Sequence, residues 1–208
     1  MYNEFVKAVR RHIKENLIVY SMVLLCFLIG SSVGAFTTKI IDKHQKEQLF
    51  FYLKDFFQVI HNNELNNLDI LKQTLINNIQ LIILNWLVGT LIITAPIALI
   101  VVAFKGFLIG FTTSILIEKF NFLGGLIFLF GILPQNIILI PSFIFSAVTT
   151  LTFSSSFIKN KIRNPKETSY SKGYFLYSYL FIIIMLFIFI GSIIESYIAP
   201  IFIRILSV

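Results

Sequence analysis

Charge is what this chain has least of: Asp, Glu, Lys and Arg make up 13% of its 208 residues, about half the share of an ordinary soluble domain. There is one cysteine, Cys26, so neither a disulfide scaffold nor a thiol-rich metal cluster can be assembled. The three histidines, His12, His44 and His61, lie outside the long apolar stretches, which removes an intramembrane Ser-His pair. Glu118 and Glu195, the acids at membrane depth, have no Asp with which to form an aspartyl dyad. No strand pattern exists for a glycine-rich phosphate loop to follow. The expectation is no catalytic residue, no cofactor and no metal. What fills the chain is oil: 57% of residues are apolar, 23 are Phe, and the mean hydropathy is +0.85. A water-soluble globule of this size could not bury so much, so the composition predicts an all-α integral membrane protein. The net charge of +7 then records orientation and not nucleic-acid binding, because basic residues gather on the cytoplasmic side of a membrane.

A hydrocarbon core of ~30 Å takes about 20 apolar residues of helix. The first uncharged stretch runs from Leu17 to Phe36. Lys7, Arg10, Arg11 and Lys14 precede it, as in a signal peptide, but the run exceeds an h-region of roughly 7 to 15 residues and no convincing small-x-small cleavage site ends it. A retained helix is therefore expected. A second span is expected from about Ile79 to Phe104, closed by Lys105, with Pro96 giving a kink and not an end. Residues 106–158 carry only Glu118 and Lys119 as charges and have room for two crossings and a turn. The last span runs from about Tyr174 to Ala199, with tyrosines near both ends.

The total is about five transmembrane helices in a single membrane domain over 1–208. Lys159, Lys161, Arg163, Lys166 and Lys172 mark 159–172 as a basic cytoplasmic loop. Residues 1–16 then share that side, 37–78 form an extracytoplasmic amphipathic loop, and 200–208 form an outer tail. Loop 37–78 also holds five Lys, but at lower density. The turn within 106–158 falls either at Glu118, Lys119 and Asn121 or at Gly131 to Asn136; the first is preferred, since the second leaves Glu118 and Lys119 deep in the bilayer, where an ion costs at least ~2.5 kcal/mol. Phe122 to Leu133 and Asn136 to Ile158 then form a pair broken by Pro and Gly. Glu195 is expected near the outer interface, solvated or bonded to Ser196.

Three patterns carry candidate sites. Leu49, Phe50, Leu53, Phe56, Phe57 and Ile60 fall on one helical stripe in the outer loop, opposite Lys46, Glu47, Lys54, Asp55 and Gln58 and stopped by Asn62 and Asn63. Such a helix can lie on the bilayer or on the protein's own outer face, or serve as a docking surface for an extracytoplasmic partner. Small residues recur every fourth position at Gly30 and Gly34, at Gly106 and Gly110, and at Ser142, Ser146, Thr150 and Ser154. They allow close helix packing within one subunit, in a homodimer or against a partner. Pro134, Gln135, Asn136 and Pro141 imply an interrupted helix whose free backbone groups must face protein or water. Breaks of this kind hold substrate in transporters, which makes a small transporter or permease subunit using region 131–141 the rival function. No inverted repeat accompanies the break, and Asn85, Gln135 and Asn136 read more simply as structural hydrogen-bond partners.

Phe104-Lys105-Gly106-Phe107, Gly110-Phe111-Thr112, Leu133-Pro134-Gln135-Asn136 and Ile140-Pro141 together resemble the stage II sporulation protein M family. The outer Leu49 to Leu53 run and Phe56-Phe57 are similar to members from endospore formers, and the resemblance extends over nearly the whole chain. It implies a five-span protein of the mother-cell membrane at the sporulation septum, needed for forespore engulfment, with no catalytic residue. It also implies peptidoglycan-degrading partners, the stage II sporulation proteins P (an amidase) and D (a lytic transglycosylase). The expected function is thus a non-catalytic membrane scaffold, touching lipid and those partners and no nucleic acid.

Overall fold

The computed structural model describes the backbone of residues 13–61, 66–91, 95–163 and 170–206. Among these residues the chain is helical with no strand: α1 Leu17–Ile40, α2 Lys43–His61, α3 Asn67–Thr90, α4 Ile97–Phe120, α5 Phe122–Ile127, a π-turn Phe128–Ile132, α6 Leu133–Arg163 and α7 Tyr170–Leu206. Four stretches are long and apolar enough to cross a membrane: Leu17–Ile40, Ile97–Phe120, Phe122–Lys159 and Gly173–Ile205. The chain is a multi-pass membrane protein. α3 has the same 24-residue length as α1 and α4, about 36 Å at ~1.5 Å per residue, but carries more polar side chains.

Helix direction follows from which residues meet. α1 and α4 run parallel, with Gly30 against Ala103, Gly34 against Phe107 and Thr38 against Ser114. α3 and α6 also run parallel, since Asn85 meets Ser146 and the Gly89 carbonyl meets Ser154. α7 is antiparallel to α6: Phe153 stacks on Tyr177, Leu139 lies at Gly191, and Gly131 lies at Ile203. α4 and α6 oppose each other too, with Ala98 and Val102 packed on Ala147 and Val148, and Lys105 over Phe143. The five long helices therefore alternate along the chain, and α3 must return the polypeptide that α1 carried across. α2 and the α4–α5 turn share one end of the bundle. The start of α1, the end of α3 and the basic end of α6 share the other.

α1 and α4 are joined along a seam of glycine. A Cβ added at Gly30, Gly34, Gly106 or Gly110 would strike the carbonyl of Ala103, Phe107, Phe27 or Ser31 respectively. The two backbones are thus in direct contact, as small residues permit where lipid supplies little drive for helix association. Thr38 and Ser114 close the seam through a 2.7 Å hydroxyl pair, and the Ser114 hydroxyl also donates to the Ala35 carbonyl at 3.2 Å. Leu24, Leu25, Leu28 and Ile29 point away from the seam and stay exposed, which suits a lipid-facing surface.

Two expectations need correction. The span placed at 79–104 is two helices. α3 begins at Asn67, where the Asn66 side chain accepts from Leu68 N–H at 3.1 Å. It ends at Thr90, and Pro96 caps the start of α4, where a missing N–H costs nothing. Lys105 accordingly lies inside α4 and does not mark a membrane boundary. The helix break expected at Pro134 is instead a π-turn, where Leu133 N–H reaches back five residues to the Phe128 carbonyl and the helix continues past Pro134. Pro141 also sits within continuous helix. The turn at 118–121 is present: Asn121 takes φ 48° and ψ −122°, a positive-φ conformation that glycine adopts most readily, and Gly124 packs tightly on the Leu116 carbonyl.

Candidate functional site

The end of the bundle bearing α2 forms one candidate surface. Glu118 and Lys119 are neighbours at the end of α4, so their side chains diverge and each finds a partner on α2. Lys46 Nζ donates to Glu118 Oε1 at 2.7 Å, and Lys119 Nζ lies 4.7 Å from the centre of the Phe50 ring, within cation–π range. Leu53 packs on the cluster of Leu116, Ile127 and Ile203. The described part of the sequence-predicted stripe, Leu49, Phe50 and Leu53, is therefore half-buried against the chain's own helices. The side chains of Phe56, Phe57 and Ile60, and the helix stop at Asn62 and Asn63, lie outside the described residues. What α2 leaves open is a neighbouring face, with Phe51 70% and Tyr52 68% exposed and their rings edge-on to each other. Stripe periodicity alone did not single out these two positions.

The second candidate is a polar centre inside the bundle, built by four helices. Lys105 Nζ from α4 donates to Asn78 Oδ1 of α3 at 2.6 Å and lies 4.7 Å over the Phe143 ring of α6. Glu195 of α7 is its electrostatic counterpart. Because Asn78 is midway along α3 and Gly106 meets Phe27 midway along α1, this centre sits at about mid-height. Glu195 is half-buried, on the stretch of α7 between its Gly191–Leu139 and Ile203–Gly131 contacts with α6 and the π-turn. On the same α6–α7 seam, Gln135 Oε1 and Ser192 Oγ are buried without a hydrogen-bond partner among the described residues.

Towards the opposite end the interior is bonded in a different way, with Asn85 Oδ1 left without a partner among the described residues. Asn85 Nδ2 donates to Ser146 Oγ at 2.9 Å. Thr150 donates to the Asn85 carbonyl, Tyr177 to the Asn85 and Trp86 carbonyls, and Ser154 to the Gly89 carbonyl. The last turn of any helix has carbonyls without intrahelical partners; here the Ser154 hydroxyl of α6 serves that of Gly89, while the Asn85 and Trp86 carbonyls, one turn earlier, take hydroxyls as additional partners. The stripe Ser146, Thr150 and Ser154 thus faces α3. Ser142 bonds its own helix at the Ile138 carbonyl, and Asn136 Nδ2 donates to the Ile132 carbonyl. Among the described residues no three His, Cys, Asp or Glu converge to hold a metal ion.

Parallel glycine-seamed helices, polar side chains bonded between helices and a belt of exposed apolar side chains define a polytopic helical membrane protein. The family model for stage II sporulation protein M matches residues 23–200, most of the chain. The chain belongs to that family and is a sporulation-related membrane protein. No curated protein and no solved structure matches it.

Proposed function

We propose that this protein is a non-catalytic scaffold which holds peptidoglycan-degrading enzymes at the sporulation septum during engulfment. Family membership supports the setting. The observation that carries the reading is the outer end of the bundle: α2 is fixed by Lys46–Glu118 and Lys119–Phe50, and the fixed helix presents Phe51 and Tyr52 outward. Exposed aromatic side chains on a rigid element are the type of anchor that dominates binding energy at protein interfaces. In this reading the start of α1 and the basic end of α6 lie in the cytoplasm, because Lys159, Lys161 and Arg163 join Lys14 at that end. The α2 face and the end of α7 then point to the wall side of the mother-cell membrane, where the amidase P and the transglycosylase D of stage II sporulation work.

The test is co-purification from sporulating cells. Replacing Phe51 and Tyr52 together with Ser should remove the amidase from the complex while the protein still inserts and elutes as a single species. Undiminished recovery of the amidase would rule out this face as the dock.

A further inference from the structure

A lysine held at mid-height in a membrane protein needs a reason, since burial of an ion there is costly and such residues mark functional sites. Lys105 has three N–H donors; one goes to Asn78 Oδ1 at 2.6 Å, and the ammonium leans on the Phe143 ring. Glu195, the opposite charge, is coupled to it through space, with no direct ion pair between them among the described residues. One turn of α7 away from Glu195, Gly191 lets α7 approach the Gln135 carbonyl and Leu139 of α6. At this seam Gln135 is 7% and Ser192 0% exposed, and Gln135 Oε1 and Ser192 Oγ have no partner. Buried acceptors without partners, spare ammonium donors and a carboxylate held apart from its counterion share one complement, which is water.

We propose that Lys105, Asn78, Gln135, Ser192 and Glu195 enclose a small water-filled site within the membrane, through which Glu195 exchanges a proton. In the forward step a hydronium at the site gives its proton to a Glu195 carboxylate oxygen, an O–H bond forms there, and neutral water remains. The reverse step returns the proton. Gln135 and Ser192 bond the water, and the Lys105 ammonium sets how strongly Glu195 holds the proton.

Few other groups compete at this level. α5, the π-turn and α6 up to Ile158 carry no charge. The nearest charges of α3 towards the α2 end are Lys72 and Asp69, six and nine residues before Asn78. On α7, Arg204 lies nine residues beyond Glu195 with Tyr197 between them, and on α2 Lys46 is engaged by Glu118. α1 brings no charge from Leu17 to Thr38; of its titratable side chains, Tyr20 lies towards the starting end and Cys26 lies beside Phe27 at mid-height.

The test is infrared difference spectroscopy of the full chain in vesicles of phosphatidylcholine and phosphatidylglycerol, titrated in H2O and D2O. The expected result is a protonated-carboxyl C=O band that appears on acidification, shifts in D2O and is absent from Glu195→Gln. In Lys105→Met the band should titrate at a different pH, displaced by about one unit or more, a tenfold change in proton affinity. Gln135→Leu and Ser192→Ala should move its frequency, because each removes a hydrogen-bond partner of the bound water. Lys105→Met and Gln135→Leu read the same band, so they test the proposal even where Glu195→Gln fails to insert. Absence of a titrating band from the wild type, or a band indifferent to Lys105→Met, would overturn it.

Discussion

Replacing Gly30 with Ala adds one methyl group, and the structure says where it goes: into the backbone carbonyl of Ala103 on α4. No side-chain rotation can clear a backbone atom, so α1 and α4 must separate. Overpacking of this type costs about 1 to 3 kcal/mol, and a gap of 0.5 to 1 Å forfeits a quarter to a half of each dispersion contact along the seam. Against this, Ala is a better helix former than Gly by about 1 kcal/mol. The expected net loss is about 1 to 2 kcal/mol. Gly125 supplies the control, since a Cβ there meets nothing within 4 Å; Gly125→Ala should be neutral or slightly stabilising. The double variant Gly30→Ala with Gly110→Ala should cost less than the sum of its parts, because the second methyl enters a seam already opened by the first. A titration with sodium dodecyl sulfate in mild-detergent micelles, followed by circular dichroism, measures all four chains. Equal midpoints for Gly30→Ala and Gly125→Ala would refute direct backbone contact between α1 and α4.

The same assay serves variants at three further positions. Tyr177→Phe removes the hydroxyl that donates to the Trp86 carbonyl at 2.9 Å and the Asn85 carbonyl at 3.2 Å and should cost about 1 to 2 kcal/mol; no loss would mean that those carbonyls are otherwise satisfied. Asn121→Gly should be tolerated at φ 48°, whereas Asn121→Val should cost about 1 to 2 kcal/mol from strain at positive φ. Glu118→Gln should leave the global midpoint within about 1 kcal/mol, as befits a partly exposed pair. It should also speed proteolysis within α2, and raised salt should do the same in the wild type by screening the pair; proteolysis unchanged by both would show that α2 is held by apolar packing alone.

Five crossings were legible from the sequence even though two boundaries were not. The apolar run from Ile79 to Phe104 looks continuous because hydropathy counts side chains, whereas the break between Thr90 and Ile97 is made by Pro96 and by the Ser154 hydroxyl of α6, which bonds the Gly89 carbonyl in the last turn of α3. Conversely, Lys72, Gln73, Asn77 and Asn78 kept the first half of α3, legible as an amphipathic stretch at Leu68, Leu71 and Leu75, outside the expected span. Asn78 is accommodated because Lys105 lies opposite it, a pairing between residues 27 apart that no local pattern announces. One helix too few before Lys105 and one crossing too many after it offset each other. The positions of Gly30, Gly34, Gly106 and Gly110 were visible from their spacing, but spacing cannot say which helices they join. The outer stripe was visible as an amphipathic pattern; that Leu49, Phe50 and Leu53 turn inward, leaving Phe51 and Tyr52 exposed, depends on Glu118 and Lys119, about seventy residues later.

The central claim, that the α2 face carries enzymes and does no chemistry itself, is tested most directly by photo-crosslinking in sporulating cells. A benzophenone amino acid at Tyr52 should yield an adduct with the amidase or the transglycosylase, while the same probe at Leu186, exposed on the apolar surface of α7, should not. Adducts at Leu186 and none at Tyr52, or digestion of peptidoglycan by the purified chain alone, would contradict it.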